Sequence, residues 1–204
     1  MGRAARAVAD EIAATVADTR HPLRGTRVAI LAGSGNNGGD ALLAGALLAA
    51  DGAIVVAIPV ASRLHDDGAD ALRAAGGHIV SLRADHDLLA ATEAVRSADI
   101  VIDGIVGLGA RPGLRFPADQ LVEAITDDAL VVAVDLPSGL DADSGSADAP
   151  HVEADVTVTF TAPKICLSVA PACHAAGRVV VADVGVRVVD ITEDDTKYAD
   201  EVPF

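Results

Sequence analysis

Few side chains in this 204-residue chain could do chemistry, and they fall in three short stretches. The first is "GSGNNGGD", residues 33–40, where Asn36, Asn37, Gly38 and Gly39 lead to Asp40. The second holds Asp103 and then Gly107, Leu108, Gly109, Ala110, Arg111, Pro112 and Gly113. The third is "VDLPSG", with Asp135 and Ser138. No serine–histidine pair sits in a nucleophile elbow, no cysteine has the setting of a nucleophile, and no phosphate-loop lysine follows the glycines. What remains is carboxylate, amide and hydroxyl oxygen, with backbone amides beside it. Oxygen-only groups bind hard cations. A carboxylate that faces a pocket can shuttle protons, the more so if burial raises its pKa.

The chemistry depends on where the chain places these stretches. "RVAILAG" (27–33), "AIVVAIPV" (53–60), "HIVSL" (78–82), "DIVID" (99–103), "LVVAVDL" (130–136), "ADVTVTF" (154–160) and "RVVVADVGV" (178–186) are short, rich in β-branched residues, and read as strands. Most are continuous apolar runs, which suits strands covered on both faces. Helical patterns run at roughly 3–20, 39–51, 66–76, 85–97 and 116–127. The alternation predicts an α/β fold, a three-layer αβα Rossmann-like sandwich with a mainly parallel sheet. No helix is evident between the last two strands, so an antiparallel edge is one option there. One domain over 1–204 is expected, with an N-terminal helix in 1–20 and a loose acidic tail at 190–204. In a parallel sheet all strand C-termini share one edge, and ligands bind there. Asp103 and Asp135 each end a strand, so both should share that edge with Asn36 and Asn37. Each acid also has a plainer reading, as a helix cap or turn former.

Residues 33–38 follow a GxGxxG spacing between a strand and a helix, the position at which amides and a helix dipole meet a phosphate. A tight turn with glycines for packing is the alternative. An ordinary nicotinamide dehydrogenase also needs an acid near the end of the second strand, and "AIPVASR" has none.

Composition narrows the partners. The net charge is −15, so no basic face for nucleic acid is expected. An anionic ligand must then be held by local dipoles or a recruited cation. Hydrophobic residues make up 51% and aromatic residues 2% of the chain, so alanine, valine and leucine build the core. No apolar run approaches the roughly 18 residues of a membrane span. Asp10 and Glu11 interrupt the opening residues, which leaves no secretory core, and a cytoplasmic protein is expected. Cys166 and Cys173 lack a metal or redox spacing and read as two thiols, with a disulfide or metal pair as alternatives. The six histidines are scattered and receive no role.

"GNNGGD", "VIDGIVGLG", "AVDLPSGLDADSG" and "ADVTVTFTAPK", in this order from about Arg27 to Val186, resemble the NAD(P)H-hydrate epimerases, the YjeF N-terminal domain family. The resemblance implies repair of damaged cofactor: interconversion of the R and S forms of NADH or NADPH hydrated at C6 of the nicotinamide ring. An ADP/ATP-dependent dehydratase specific for the S form, fused in some bacterial relatives, would then restore the nucleotide. It also implies K⁺ and a homodimer. Carried over by motif, Asn36, Asn37, Gly38, Gly39 and Asp40 would contact the hydrate, and Gly107 to Gly113 its phosphate end. Asn37, Asp103 and Ser138 would ligate K⁺, and Asp135 would contact the ring; carboxylate chemistry there makes Asp135 the expected catalytic acid–base residue. The chain departs from the pattern in three places. It opens "MGRAARAVADE", like the family's first helix without the preceding "LMERAG"; it has "GGDALLAG" where "GGDGL" is common; and "VGLGARPGLR" is shorter and less polar than its counterpart. Lys164 matches a family lysine, and its spacing leaves a salt bridge or a surface position open. The rival readings are a non-catalytic dimerising or binding module of the same fold, and an enzyme acting on another adenine nucleotide. A free-standing epimerase and a domain of a longer protein are equally compatible with the sequence.

Overall fold

A computed structural model describes residues 2–18, 23–82, 85–109 and 111–186. The elements run α1 (Gly2–Asp18), β1 (Arg27–Ala32), α2 (Asn36–Ala50), β2 (Ile54–Pro59), α3 (Asp66–Ala74), β3 (His78–Ile79), α4 (Asp85–Arg96), β4 (Ile100–Gly104), α5 (Ala118–Glu123), β5 (Leu130–Val134), β6 (Val156–Phe160) and β7 (Arg178–Ala182). The strands form one sheet in the order β3-β2-β1-β4-β5-β6-β7. Every pairing is parallel.

Strand alternation sorts the apolar residues onto two faces. Val28 and Ile30 of β1, with Ile100 and Ile102 of β4, turn to one face and pack with α1, α2 and α3. Ala29 and Leu31, with Val101 of β4, turn to the other, beneath α4 and α5. The result is a three-layer α/β Rossmann-like sandwich. Large aromatics are scarce, so the helices lie close to the sheet. The helical Gly45 shows how close: a Cβ added there would lie 2.3 Å from the Ile30 side chain.

The structure differs from the sequence reading in five places. The last strand pair is parallel, not antiparallel, with Val156 opposite Arg178 and Phe160 opposite Ala182. The crossover uses two short 3₁₀ turns, Ile165–Leu167 and Ala172–Ala176, in place of an α-helix. Helix α2 begins at Asn36, three residues before the expected start. The helix expected at 116–127 shrinks to Ala118–Glu123, with Pro117, which offers no amide, at its N-cap. Strand β3 keeps only His78–Ile79 of the expected 78–82. Cys166 is buried and Cys173 half-buried, and both are free thiols. No described helix is long and apolar enough to cross a membrane. The acidic tail, residues 19–20 of the N-terminal helix and Ala110 lie outside the described residues.

Candidate functional site

The switch in strand order lies between β1 and β4, and the chain leaves both strands on the same edge. Nucleotides bind at such a point in open α/β sheets. The turn out of β1 is only three residues, Gly33–Gly35, and it is tight where Gly33 meets the β4 exit. A Cβ on Gly33 would sit 1.8 Å from the Ile105 carbonyl oxygen, and one on Gly38 would sit 2.1 Å from that of Gly33. Side chains at these positions would push β1, α2 and the β4 exit apart.

Helix α2 starts with Gly35 as N-cap and no side-chain cap. Its first-turn amides therefore have no side-chain acceptor at the cap, and they lie at the positive end of the helix dipole. An anion at such an end gains on the order of 1 kcal/mol near a surface. Asn36 and Gly35 are exposed, while Gly38, Gly39 and Asp40 are buried. The Asp40 carboxyl is pushed up to about 6, chiefly by burial, with Asp135 adding to the rise.

Asn37 ties the site together. Its Nδ2 donates to the carbonyl of Val134, the residue before Asp135, at 2.8 Å, and to that of Val106 at 3.4 Å. Gly107 lies directly against it, since a Cβ there would be 2.4 Å from Nδ2. The same Val106 also meets Ser138, whose Oγ accepts from the Val106 amide at 3.0 Å. Asp103 is buried, and Oδ1 accepts from the Ser138 hydroxyl at 2.6 Å and Oδ2 from the Ser138 amide at 2.7 Å. Burial pushes the Asp103 carboxyl up to about 6 even though these hydrogen bonds pull it down. Asn37, Asp103 and Ser138, far apart in sequence, thus converge beside Val106, Asp103 through Ser138. With the carbonyls of Val106 and Val134 they make a donor set of oxygen alone, apart from the Asn37 amide nitrogen. Such a set fits a hard cation, whose charge would offset that of a buried carboxylate. Among the described residues there is no cluster of three or more His, Cys, Asp or Glu that would suit a zinc-like ion.

Asp135 follows β5 with φ +74°, a left-handed conformation that L residues other than Asn and Asp rarely adopt. The turn places its buried carboxylate against Lys164 Nζ and Thr159 Oγ1. Lys164 Nζ also donates to Thr159 Oγ1 at 2.8 Å and to the Phe160 carbonyl at 3.1 Å. Lys164 is therefore an ion-pair partner inside the site, its side chain only 13% exposed. Neither Thr159 nor this pairing was evident from spacing. The signals available were the two threonines of "VTVTF" in a strand expected to be buried and the motif lysine that follows it.

The second glycine loop is different in character. Leu108, Gly109, Arg111 and Pro112 are exposed. Together with Gly33, Ser34 and Gly35, this loop lines a cleft of about 550 Å³. Asp135 does not line that cleft. The structure thus brings Asn36 to Asp40, Asp103, Gly107, Asp135 and Ser138 to one edge, and leaves Leu108, Gly109, Arg111 and Pro112 as an open flank.

Comparisons with known proteins show the family and the fold. Residues 1–166 match the family described as YjeF-related protein N-terminus. The chain is 43% identical over 192 residues to the NAD(P)H-hydrate epimerase of Microbacterium testaceum, an alignment that covers 92% of this chain and 71% of the relative. It is 44% identical over 168 residues to that of Clavibacter sepedonicus, covering 78% of this chain and 72% of the relative. It is 38% identical over 189 residues to the bifunctional NAD(P)H-hydrate repair enzyme Nnr of Mycobacterium tuberculosis, covering 91% of this chain but 37% of the relative. Among solved structures, yeast ynu0 (YNL200c) superposes with a TM-score of 0.69 at 24% identity, covering 98% of this chain and 82% of the yeast chain, a likeness of fold.

Proposed function

We propose a function that starts from kinship: this chain belongs to the YjeF-related N-terminal family. It is an NAD(P)H-hydrate epimerase, an isomerase that interconverts the R and S forms of hydrated NADH or NADPH. The observation that carries the reading is the Asn37–Val134 hydrogen bond, which locks the amide-rich start of α2 beside the carboxylate of Asp135.

The division of labour follows from position. The diphosphate lies along the first turn of α2, where Asn36, Asn37, Gly38 and Gly39 offer amides at the positive end of the helix. The loop from Gly107 to Gly113, with Arg111, takes the phosphate end, and the cleft of about 550 Å³ beside it leaves room for the rest of the nucleotide. The nicotinamide ring then reaches Asp135. Asn37, Asp103 and Ser138 would hold K⁺, which supplies a fixed positive charge in a chain of net charge −15.

The chemistry needs one proton donor that can also accept. Asp135 gives a proton to the C6 hydroxyl. The C6–O bond breaks, its electron pair leaves with the oxygen as water, and the lone pair of the ring nitrogen closes a planar N1=C6 cation. Water then adds to either face of the plane and returns a proton to Asp135. Atoms and charge balance over the cycle, and no redox partner is consumed. General acid–base help of this kind is worth roughly 10²–10⁴-fold.

A non-catalytic module of the same fold would have no need to keep Asp103, Asp135, Asn37 and Ser138 in register on one edge. In the cell the S form would pass to an ADP/ATP-dependent dehydratase, in the cytosol, with this chain as a homodimer. The direct test is to mix the purified protein with the R epimer and follow the S epimer. Appearance of S faster than in buffer is the expected result, and a rate equal to buffer refutes the reading.

A further inference from the structure

We propose that Lys164, together with Thr159, is the positioning residue that confines the transferable proton of Asp135 to Oδ2, the carboxylate oxygen left for the substrate. The proposal rests on the epimerase reading and adds a residue to it.

The argument is a count of donors. A lysine ammonium has three N–H donors and no acceptor. Lys164 spends them on three oxygens: Asp135 Oδ1, Thr159 Oγ1 and the Phe160 carbonyl. The Thr159 hydroxyl, already accepting from Lys164, turns its own single hydrogen to Asp135 Oδ1 at 3.2 Å. Oδ1 therefore receives two donors. An oxygen that accepts from both an ammonium and a hydroxyl has no room to carry a proton of its own. Among the described residues no hydrogen bond reaches Oδ2. When Asp135 is protonated, the proton must sit there, and when Asp135 has given it up, the charge is met at Oδ1 by Lys164.

The surroundings hold the pair in this arrangement. Thr159 is fully buried and belongs to β6, so its hydroxyl is fixed by the sheet. Thr161, with φ +68°, reverses the chain after β6 and brings Lys164 back over the strand end. The pair is thus set by the end of β6 and the end of β5, and neither partner has to move for proton transfer at Oδ2.

The test uses the intact protein and three variants. Lys164→Met keeps the length of the stem and removes all three donors. Its kcat should fall on the order of 10²-fold while KM stays within about 3-fold. Lys164→Arg, which restores a cation and donors, should recover part of the loss. Thr159→Val, which removes the second donor to Oδ1 with little change in volume, should give a smaller fall in kcat of the same kind. A rise in KM with kcat unchanged, or no change in either, overturns the proposal. If Lys164→Met does not fold, Thr159→Val decides by the same criterion. A wild-type protein without epimerase activity would fail the epimerase reading instead. In that case the pairing is read directly: a protected ¹⁵Nζ resonance of Lys164 should be present in the wild type and lost in Asp135→Asn. A resonance indifferent to that substitution overturns the pairing itself.

Discussion

The two glycine-rich loops sit on the same edge of the sheet, yet they need glycine for opposite reasons. In the first, Gly33, Gly38 and the neighbouring Gly104 have no room for a methyl group, with added Cβ atoms falling 1.8, 2.1 and 2.5 Å from their neighbours. In the second, Gly109 has nothing within 4 Å and is glycine because its φ is +81°. Gly107, pressed against Asn37, is the hinge between the two kinds. The first loop is part of the framework that aligns Asn37, Asp103 and Asp135. The second is a flank that a ligand can rearrange. Close packing fixes geometry for chemistry, and open backbone leaves freedom for binding.

Four experiments bear on this contrast, beginning with the largest effect. Replacing Asp135 by Asn, which tolerates the same left-handed backbone, should cut kcat by roughly 10²–10⁴-fold and, because it removes the counter-charge of the buried Lys164, lower the melting temperature while the fold is retained. Full activity in that variant would remove the buried half of the site from the chemistry. Gly38→Ala should lower the melting temperature by on the order of 5 °C or more, because overpacking against the Gly33 carbonyl has no soft side chain to yield. A normal melt would show that the first loop has slack.

The third experiment turns on Asp103. Its folded-state carboxyl, at about 6 against 3.8 for the free group, holds a proton more tightly than the unfolded chain does. The stability it contributes is therefore complete below 3.8 and is lost as the pH rises through about 6. A cation bound to the ionised carboxylate should restore it. KCl should raise the melting temperature above that in choline chloride at pH 7.5, by roughly a few degrees, and the difference should vanish near pH 5. Equal melts in the two salts at pH 7.5 would argue against a cation there. The smallest effect is expected from Gly109→Ala, which strains the exposed loop by about 1 kcal/mol and should raise KM a few-fold with kcat and melting temperature nearly unchanged. A collapse like that of Gly38→Ala would erase the distinction between the loops.

The strands and the shared edge were legible because a continuous β-branched run has few alternatives to a buried parallel strand. Asp103 and Asp135 follow from that alone, each as the acid that ends such a run. The early start of α2 was hidden because glycine and asparagine are poor helix formers; packing against β1 and β4 overrides their propensity. The parallel β6–β7 pair was hidden because its crossover is made of 3₁₀ turns, which leave no 3.6-residue pattern. For Lys164 a salt bridge was among the open readings, but its partner was hidden. Its partner is 29 residues away in sequence, and the contact depends on the backbone reversal at Thr161, for which threonine gives no warning.

The backbone of residue 135 has a consequence for anyone who engineers this protein. A left-handed conformation at a side-chain-bearing residue costs on the order of 1 kcal/mol or more, and glycine would release it. That gain is outweighed, because glycine would also strip the buried Lys164 ammonium of its counter-charge, a loss of about 3–5 kcal/mol, so a screen that rewards heat resistance alone should still retain the acid group on which turnover depends.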